Sequence, residues 1–360
     1  MKILYTIANT YGLGADRWIY DGYRHAFGAE RQEFYKVTQF DGFEKRTLEI
    51  KPDLLLLDFC FLIVYANMYG RGEVSPNFFR DLKNRGTTIF CLVPTGTDKE
   101  ELIERVSLFR KYLPFFDLCY SYQLPEVTNR FQGLFGKEIY CILPAADTHY
   151  FFPDRPDKRY ESDIAFVGSF YTAKKDAFRK LLYPLYKKYK VLVYGPGWMI
   201  TDRILRLGSG LSRRLGWEKT TCWINDRRIT ISPDEERKLY VSAKICVNIH
   251  EYYPDGTIRG YINDREFKVP ACGGFQLSDY IPGMEHYFKL GKEIVVVRNT
   301  EEWFSQIDYY LHHPDERKAI QQRGTARVLG EHTYRHRARQ IMDLYNEKII
   351  RKNSKYGLKR

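Results

Sequence analysis

The chain has no apolar run long enough to span a bilayer. The longest, Leu54 to Met68, is interrupted by Asp58 and Asn67 and falls short of the ~20 residues that a spanning helix needs. Paired cysteines are also missing. The seven cysteines, at 60, 91, 119, 141, 222, 246 and 272, never stand as Cys-x-x-Cys, and most sit in strand-like apolar runs where Cys acts as a small hydrophobe. An odd, scattered set, with Met1 running straight into the strand-like KILYTI, leads us to expect a reducing, cytoplasmic compartment. Asp-x-Asp does not occur, so a metal–diphosphate motif is lacking. No His/Cys group has zinc spacing, and neither a Walker A loop nor a Gly-x-Ser-x-Gly elbow is present. In Tyr11-Gly12-Leu13-Gly14-Ala15-Asp16-Arg17 the third glycine of a dinucleotide fingerprint is replaced by Arg17, which disfavours a nicotinamide enzyme. Neither a metal nor a cofactor is expected.

What is plentiful is aromatic and basic. Of 360 residues, 16% are aromatic, and 57 Lys and Arg face 45 Asp and Glu for a net charge of +12. Such a balance favours anionic partners, among them nucleotide phosphates, acidic glycans and anionic lipid. From Arg335 onward nine basic residues meet only Asp343 and Glu347, which reads either as a solvated helix face with a charged end or as a binding surface.

Strand-like and helix-like segments alternate from Lys2 to Leu143 and again from Asp163 to the C-terminus. The strands are continuously apolar rather than alternating, as in Leu54 to Leu57, so parallel sheets covered on both faces are expected. The boundary is placed in the polar, Pro-containing stretch after Phe151-Phe152-Pro153, giving 1–153, 154–335, and a C-terminal helix with basic tail at 336–360 that returns to the first domain. Two such halves in series suggest an α/β pair of Rossmann-like domains facing a cleft. The alternation breaks at 199–229. There Ile204, Leu205, Leu207, Leu211, Leu215, Trp217 and Trp223 mix with Arg203, Arg206, Arg213, Arg214, Lys219, Arg227 and Arg228. A basic amphipathic insertion can lie on an anionic membrane or meet an acidic acceptor; it can equally be a loop with its apolar side packed inward.

The most informative segment is NDREFKVPACGGFQLSDY, Asn263 to Tyr280. It reads as a short helix, a glycine turn and a strand. A helix start carrying Asn263, Arg265 and Lys268 suits an anionic, phosphate-bearing ligand. Gly168-Ser169 closes the first strand of the second half, with Lys174-Lys175 at the next helix start, and ligands of open α/β sheets bind outside the carboxyl ends of strands. Asn248-Ile249-His250 ends another strand, with Arg259 shortly after; His250 either faces a ligand or is a histidine satisfied by hydrogen bonds. Gly12 and Gly14 follow the first strand as a ligand-approach loop or a plain tight turn. Asp58, Asp98 and His25 are the groups of the first half available as a general base.

Asn263, Arg265, Phe267, Ala271, Cys272, Gly273 and Asp279, together with Pro144-Ala145-Ala146-Asp147, resemble the pattern of CgeB-type glycosyltransferases, a spore-maturation-protein family related to the group-1 enzymes of the GT-B fold. The resemblance runs from about residue 115 to 345. It implies a retaining, metal-independent sugar transfer from a nucleotide-sugar donor to a glycan, protein or lipid-linked acceptor. It places Gly168, Ser169, Lys174 or Lys175, Arg265 and the helix start near Asn263 on the donor diphosphate, with His250, Arg259, Gly12 and Gly14 around the donor and Arg265, Lys174 and His250 as the catalytic set. The family's ribose-binding Glu falls on Lys268, while a Glu stands two residues earlier at Glu266. That departure supports a rival, a non-catalytic nucleotide- or phosphate-binding protein on the same scaffold. A third reading, an enzyme acting on nucleic acid, rests on charge alone.

Overall fold

The computed structural model describes residues 1–7, 15–38, 40–67, 72–93, 107–170, 174–228, 230–250 and 262–355. The chain divides into two compact units, one running to Leu143 and taking in Tyr334 onward, the other made of Pro144–Thr333.

The first unit is a six-stranded parallel sheet in the order β2-β1-β3-β4-β5-β6, with β1 Lys2–Ile7, β2 Glu33–Thr38, β3 Leu54–Asp58, β4 Thr88–Leu92, β5 Leu118–Ser121 and β6 Ile139–Cys141. The apolar strands are buried on both faces, Leu54 to Leu57 at 1% exposure or less. This is what a parallel sheet between helices requires. Aromatic rings fill one side: Phe43, Phe78 and Phe79 pack edge to face with centroids 5.4–5.5 Å apart for adjacent pairs. The helix Tyr334–Lys355 belongs to this unit. Arg337 Nε donates to the Leu143 carbonyl at 3.0 Å, and the Tyr334 ring meets Tyr23 edge-on at 5.1 Å.

The second unit has a five-stranded parallel sheet, β11-β10-β9-β7-β8, with β7 Ser162–Val167, β8 Val191–Tyr194, β9 Ala243–Asn248, β10 Gln276–Asp279 and β11 Val295–Val297. The chain leaves β7 for β8 on one side and then crosses to β9 on the other. The strand order therefore reverses between β7 and β9, which pair directly. The core holds Phe166, Phe178, Val247, Phe275, Leu277 and Trp303.

Two segments differ from the sequence expectation. The helix expected to start at Lys174-Lys175 is split into Lys175–Ala177, a π turn Phe178–Leu182 and a 3-10 turn Tyr183–Lys187. Pro184 lacks the N–H that a continuous helix needs. The 199–229 segment is two helices, Ile200–Arg214 and Glu218–Asp226. No helix among the described residues is long and apolar enough to cross a membrane.

Candidate functional site

The polar residues singled out in the second half converge at the carboxyl ends of β7, β9 and β10. Arg265 opens the helix Arg265–Ala271 and reaches back across the reversal of strand order. Its Nη1 donates to the Val167 carbonyl at the end of β7 at 2.9 Å, and its Nε donates to Asn248 Oδ1 at the end of β9 at 2.8 Å. The guanidinium lies over the Phe166 ring, 5.3 Å from its centroid. Gly168 makes this possible: a Cβ there would stand 2.7 Å from Arg265 Nη1 and 2.8 Å from Phe166 Cζ. Its carbonyl accepts from Trp198 Nε1 at 2.7 Å. Open α/β sheets bind ligands at this switch of strand order, and Arg265 stands in it half-buried, with Nη2 making no hydrogen bond to any described residue.

Beneath Arg265 lies a buried network. Asn248 and Asn263 exchange amide hydrogen bonds at 3.1 Å in each direction. Asn248 Nδ2 also donates to Glu266 Oε1 at 2.7 Å, and Ser278 Oγ donates to the same oxygen. His250, 1% exposed, donates from Nδ1 to Asp279 Oδ1 at 2.6 Å, and its backbone N–H bonds the same carboxylate. Its Nε2 faces Glu266 Oε1 at 3.5 Å. Burial pushes the Glu266 carboxyl above the usual carboxylate range, with His250 and the Ser278 and Asn248 hydrogen bonds opposing. Glu266 Oε2 is buried without a hydrogen-bond partner among the described residues. His250 and Glu266 are thus held under the surface, where they lock β9, β10 and the helix between them together.

The helix start itself offers few free N–H groups. Asn263 Oδ1 accepts from the Arg265 backbone N–H at 3.0 Å, and Glu266, Phe267 and Lys268 donate to Asn263 or Asp264 carbonyls. The Arg265 side chain, rather than the backbone, is therefore the group at this helix start with a donor able to meet an anion. Lys174 is buried, and its Nζ donates to the Ile249 carbonyl just past β9 at 2.9 Å; Lys175 is exposed and Ser169 half-buried. Gly12, Gly14, Arg259 and Asp98 lie outside the described residues. Asp58, at the end of β3, accepts from the Cys60 N–H at 2.9 Å. His25 Nε2 pairs with Arg24 Nη2 at 2.9 Å.

Lys268 sits elsewhere. Two residues along a helix turn by about 200°, so with Glu266 facing the network, Lys268 faces away. Its Nζ is 2.7 Å from Asp264 Oδ2 and 3.7 Å from Glu236 Oε1, over the Phe151 ring at 4.8 Å. Burial opposes its charge, yet Asp264 and Glu236 outweigh burial and hold its pKa above the ordinary lysine value. Sequence reading missed this triad, and also Ser278. The triad carries one local signal, the i,i+4 spacing of Asp264 and Lys268.

Residues 174–343 match the family model described as glycosyl transferase-like. No curated protein sequence matches the chain. Among solved structures the fold is similar to sucrose-phosphate synthase from Thermosynechococcus elongatus, at 12% identity over 97% of this chain and 99% of that one, TM-score 0.66. It is similar also to HepE of Anabaena in complex with UDP and glucose, at 10% identity over 96% and 100% of the two chains, TM-score 0.60. An alpha-glucosyltransferase in complex with UDP matches at 10% identity, 96% and 100% coverage and TM-score 0.60. At such identities the likeness establishes the architecture, two parallel α/β sheets in the GT-B fold. With the sequence match across its second half, the chain is a glycosyltransferase.

Proposed function

We propose that the protein transfers a sugar from a nucleotide-sugar donor, UDP-linked, to a glycan, protein or lipid-linked acceptor, with retention of configuration and without a metal ion, and that within the group-1 enzymes it is of the CgeB type. The observation that carries this is Arg265 bridging the ends of β7 and β9 where the strand order reverses. A guanidinium fixed there, with Nη2 free of protein partners among the described residues, can take a diphosphate oxygen and hold the charge that builds as the sugar leaves. Gly168 and Ser169 form the floor at the end of β7, and Lys174 and Lys175 stand at the adjacent helix start. Gly12, Gly14, Arg259 and Asn263 complete the proposed donor set. The His250–Asp279 pair and Glu266 act as positioning residues, and Lys268 is a structural cation rather than a ribose contact, which removes the main support for a non-catalytic rival. The UDP carried by two of the similar structures and the absence of Asp-x-Asp from the sequence support the donor and the metal-free chemistry. Peripheral contact with an anionic membrane through 199–229 or the basic tail belongs to the same reading.

The test is thermal shift of the purified protein against UDP, GDP, CDP, TDP and ADP, with and without EDTA. A ligand at one hundred times its Kd stabilises the folded state by about 2.7 kcal/mol. A rise selective for UDP and indifferent to EDTA is expected, followed by UDP release from a UDP-sugar. Flat melting with every nucleotide at millimolar concentration overturns the proposal.

A further inference from the structure

The helical pair at 200–226 is turned inside out. The side chains it buries are mostly polar: Asp202, Ser209, Ser212, Thr221 and Asn225. Ser212 Oγ and Thr221 Oγ1 share a hydrogen bond of 2.8 Å, and Arg228 Nε donates to Asp202 Oδ1 at 2.7 Å. Its large apolar side chains point outward. Ile200, Ile204, Leu207, Leu211 and Leu215 are between 50% and 76% exposed; the spacing places the first four on one face of the helix Ile200–Arg214, and Leu215 caps its end. Arg203, Arg206, Arg213 and Arg214, all exposed, fall by helical geometry along one flank of that stripe. The other flank meets the second helix, where a Cβ on Gly208 would lie 3.6 Å from Ile224 Cδ1. Trp217 and Trp223 are exposed beside it, with the Arg227 guanidinium 3.5 Å above the Trp223 ring.

We propose that this face docks flat on an anionic lipid bilayer. The leucine and isoleucine stripe would enter the boundary between headgroups and acyl chains, the arginine flank would meet lipid phosphates, and the tryptophans would sit at headgroup level. Charge and geometry choose the bilayer. A stripe of this kind left in water is an aggregation liability. A second copy would bring two arginine flanks together. A helix of 15 residues is about 22 Å long, enough to lie on a membrane and too short to cross one. The inference deepens the membrane part of the proposed function and rests on it. Its test reads binding alone, so its failure leaves donor transfer standing.

The experiment is flotation of the full chain with phosphatidylcholine vesicles, with and without phosphatidylglycerol, at low and high salt. Wild type is expected to float with anionic vesicles and to be released by salt. Leu207→Ser with Leu211→Ser should lose about tenfold or more in partitioning. Arg206→Ala and Arg214→Ala should each lose about fivefold, on anionic vesicles only. All these positions are exposed, so melting temperatures should hold; a variant that melts early is replaced by Leu207→Gln. Three results overturn the proposal. They are a wild type that floats on no vesicle, leucine variants that float like wild type, and a dimer in light scattering that those variants dissolve.

Discussion

Arg265 Nη1 donates to the Val167 carbonyl 98 positions earlier in the chain, at 2.9 Å. This bond closes the end of β7 onto the helix that follows β9, and it fixes the guanidinium where the sheet reverses its order. An arginine so held should act mainly on the departing diphosphate. Arg265→Ala is expected to lower kcat/KM for the nucleotide-sugar by about 10²–10³-fold, the usual loss of one preorganised electrostatic donor. Arg265→Lys should recover little, since a lysine cannot bond Val167 and Asn248 together. Steady-state kinetics beside thermal melting separate the two effects. Unchanged kcat/KM in Arg265→Ala, with a normal melt, would remove this residue from the reaction.

Gly168→Ala tests the same geometry from the other side. The new methyl would lie 2.7 Å from Arg265 Nη1 and 2.8 Å from the Phe166 ring, so the guanidinium or the ring has to move. Overpacking of this kind costs about 1–3 kcal/mol. Activity should fall further than stability predicts, because the guanidinium lies against both the new methyl and the Phe166 ring and either shift disturbs it. A variant as active as wild type would show that the close approach is not needed for turnover.

Lys268 is where the sequence was hardest to interpret. Against the family pattern it looked like a changed ligand contact. Its partner Glu236 is 32 positions away in sequence, and nothing local announces their meeting. The same limit applied to 199–229: its period showed an amphipathic segment but could not show which side faces the protein, because Ser212 and Thr221 meet only once the two helices fold together. By contrast the sheets were legible. Runs such as Leu54 to Leu57 and Ile164 to Val167 have strand length and no polar face, and a sheet covered on both sides is the arrangement that buries them. The helix Phe59–Asn67 was hidden for the same reason, since apolar residues on every side of it erase any period. Of the candidate site, Asn248 and His250 were legible from their place at the end of β9, and Asn263, Arg265 and Glu266 from the helix start that follows; their hydrogen bonds to one another were not.

The ion triad makes a sharp prediction. Lys268→Glu restores the residue expected from the family pattern, yet it would crowd three carboxylates into a buried space with Asp264 and Glu236. Lys268→Met leaves the same two carboxylates uncompensated. Breaking a buried pair costs about 3–5 kcal/mol, so both variants should melt well below wild type, the glutamate lower. Chemical denaturation checks this. A Lys268→Glu protein that melts normally and prefers a different nucleotide would return Lys268 to the donor site.

Glu266 should give stability a recognisable pH dependence. Its folded pKa is raised above the ordinary glutamate value of 4.5 by burial. Below 4.5 both folded and unfolded states carry the proton, and the residue costs nothing. As the pH rises through 4.5 the unfolded chain ionises first, so folding stability falls until the folded carboxyl also ionises, with a slope of at most about 1.4 kcal/mol per pH unit. Glu266→Gln removes this slope. The difference in melting temperature between variant and wild type should therefore move in the variant's favour from pH 4 to 7, and parallel pH profiles would place the Glu266 pKa at its ordinary value.

The last prediction concerns the first unit alone. Gly22 lies in the helix Ala15–Ala29, and a Cβ there would stand 2.1 Å from Tyr334 Cδ2. Tyr334 is the first residue of the helix Tyr334–Lys355, and its ring is already pinned against Tyr23 at 5.1 Å. Gly22→Ala cannot be absorbed by a rotamer change, because the ring wall is what the methyl meets. The helix start must lift, straining the bond from Arg337 Nε to the Leu143 carbonyl, less than one turn further along the same helix. A loss of about 1–3 kcal/mol is expected, with faster proteolysis near residue 334. Intrinsic helix propensity pulls the other way, since Ala is favoured over Gly by about 1 kcal/mol in a helix interior, so a net loss identifies the contact as the cause. Tyr334→Ala should lose stability alone and rescue Gly22→Ala when combined with it. Additive losses in that double-mutant cycle would mean that the two residues do not meet.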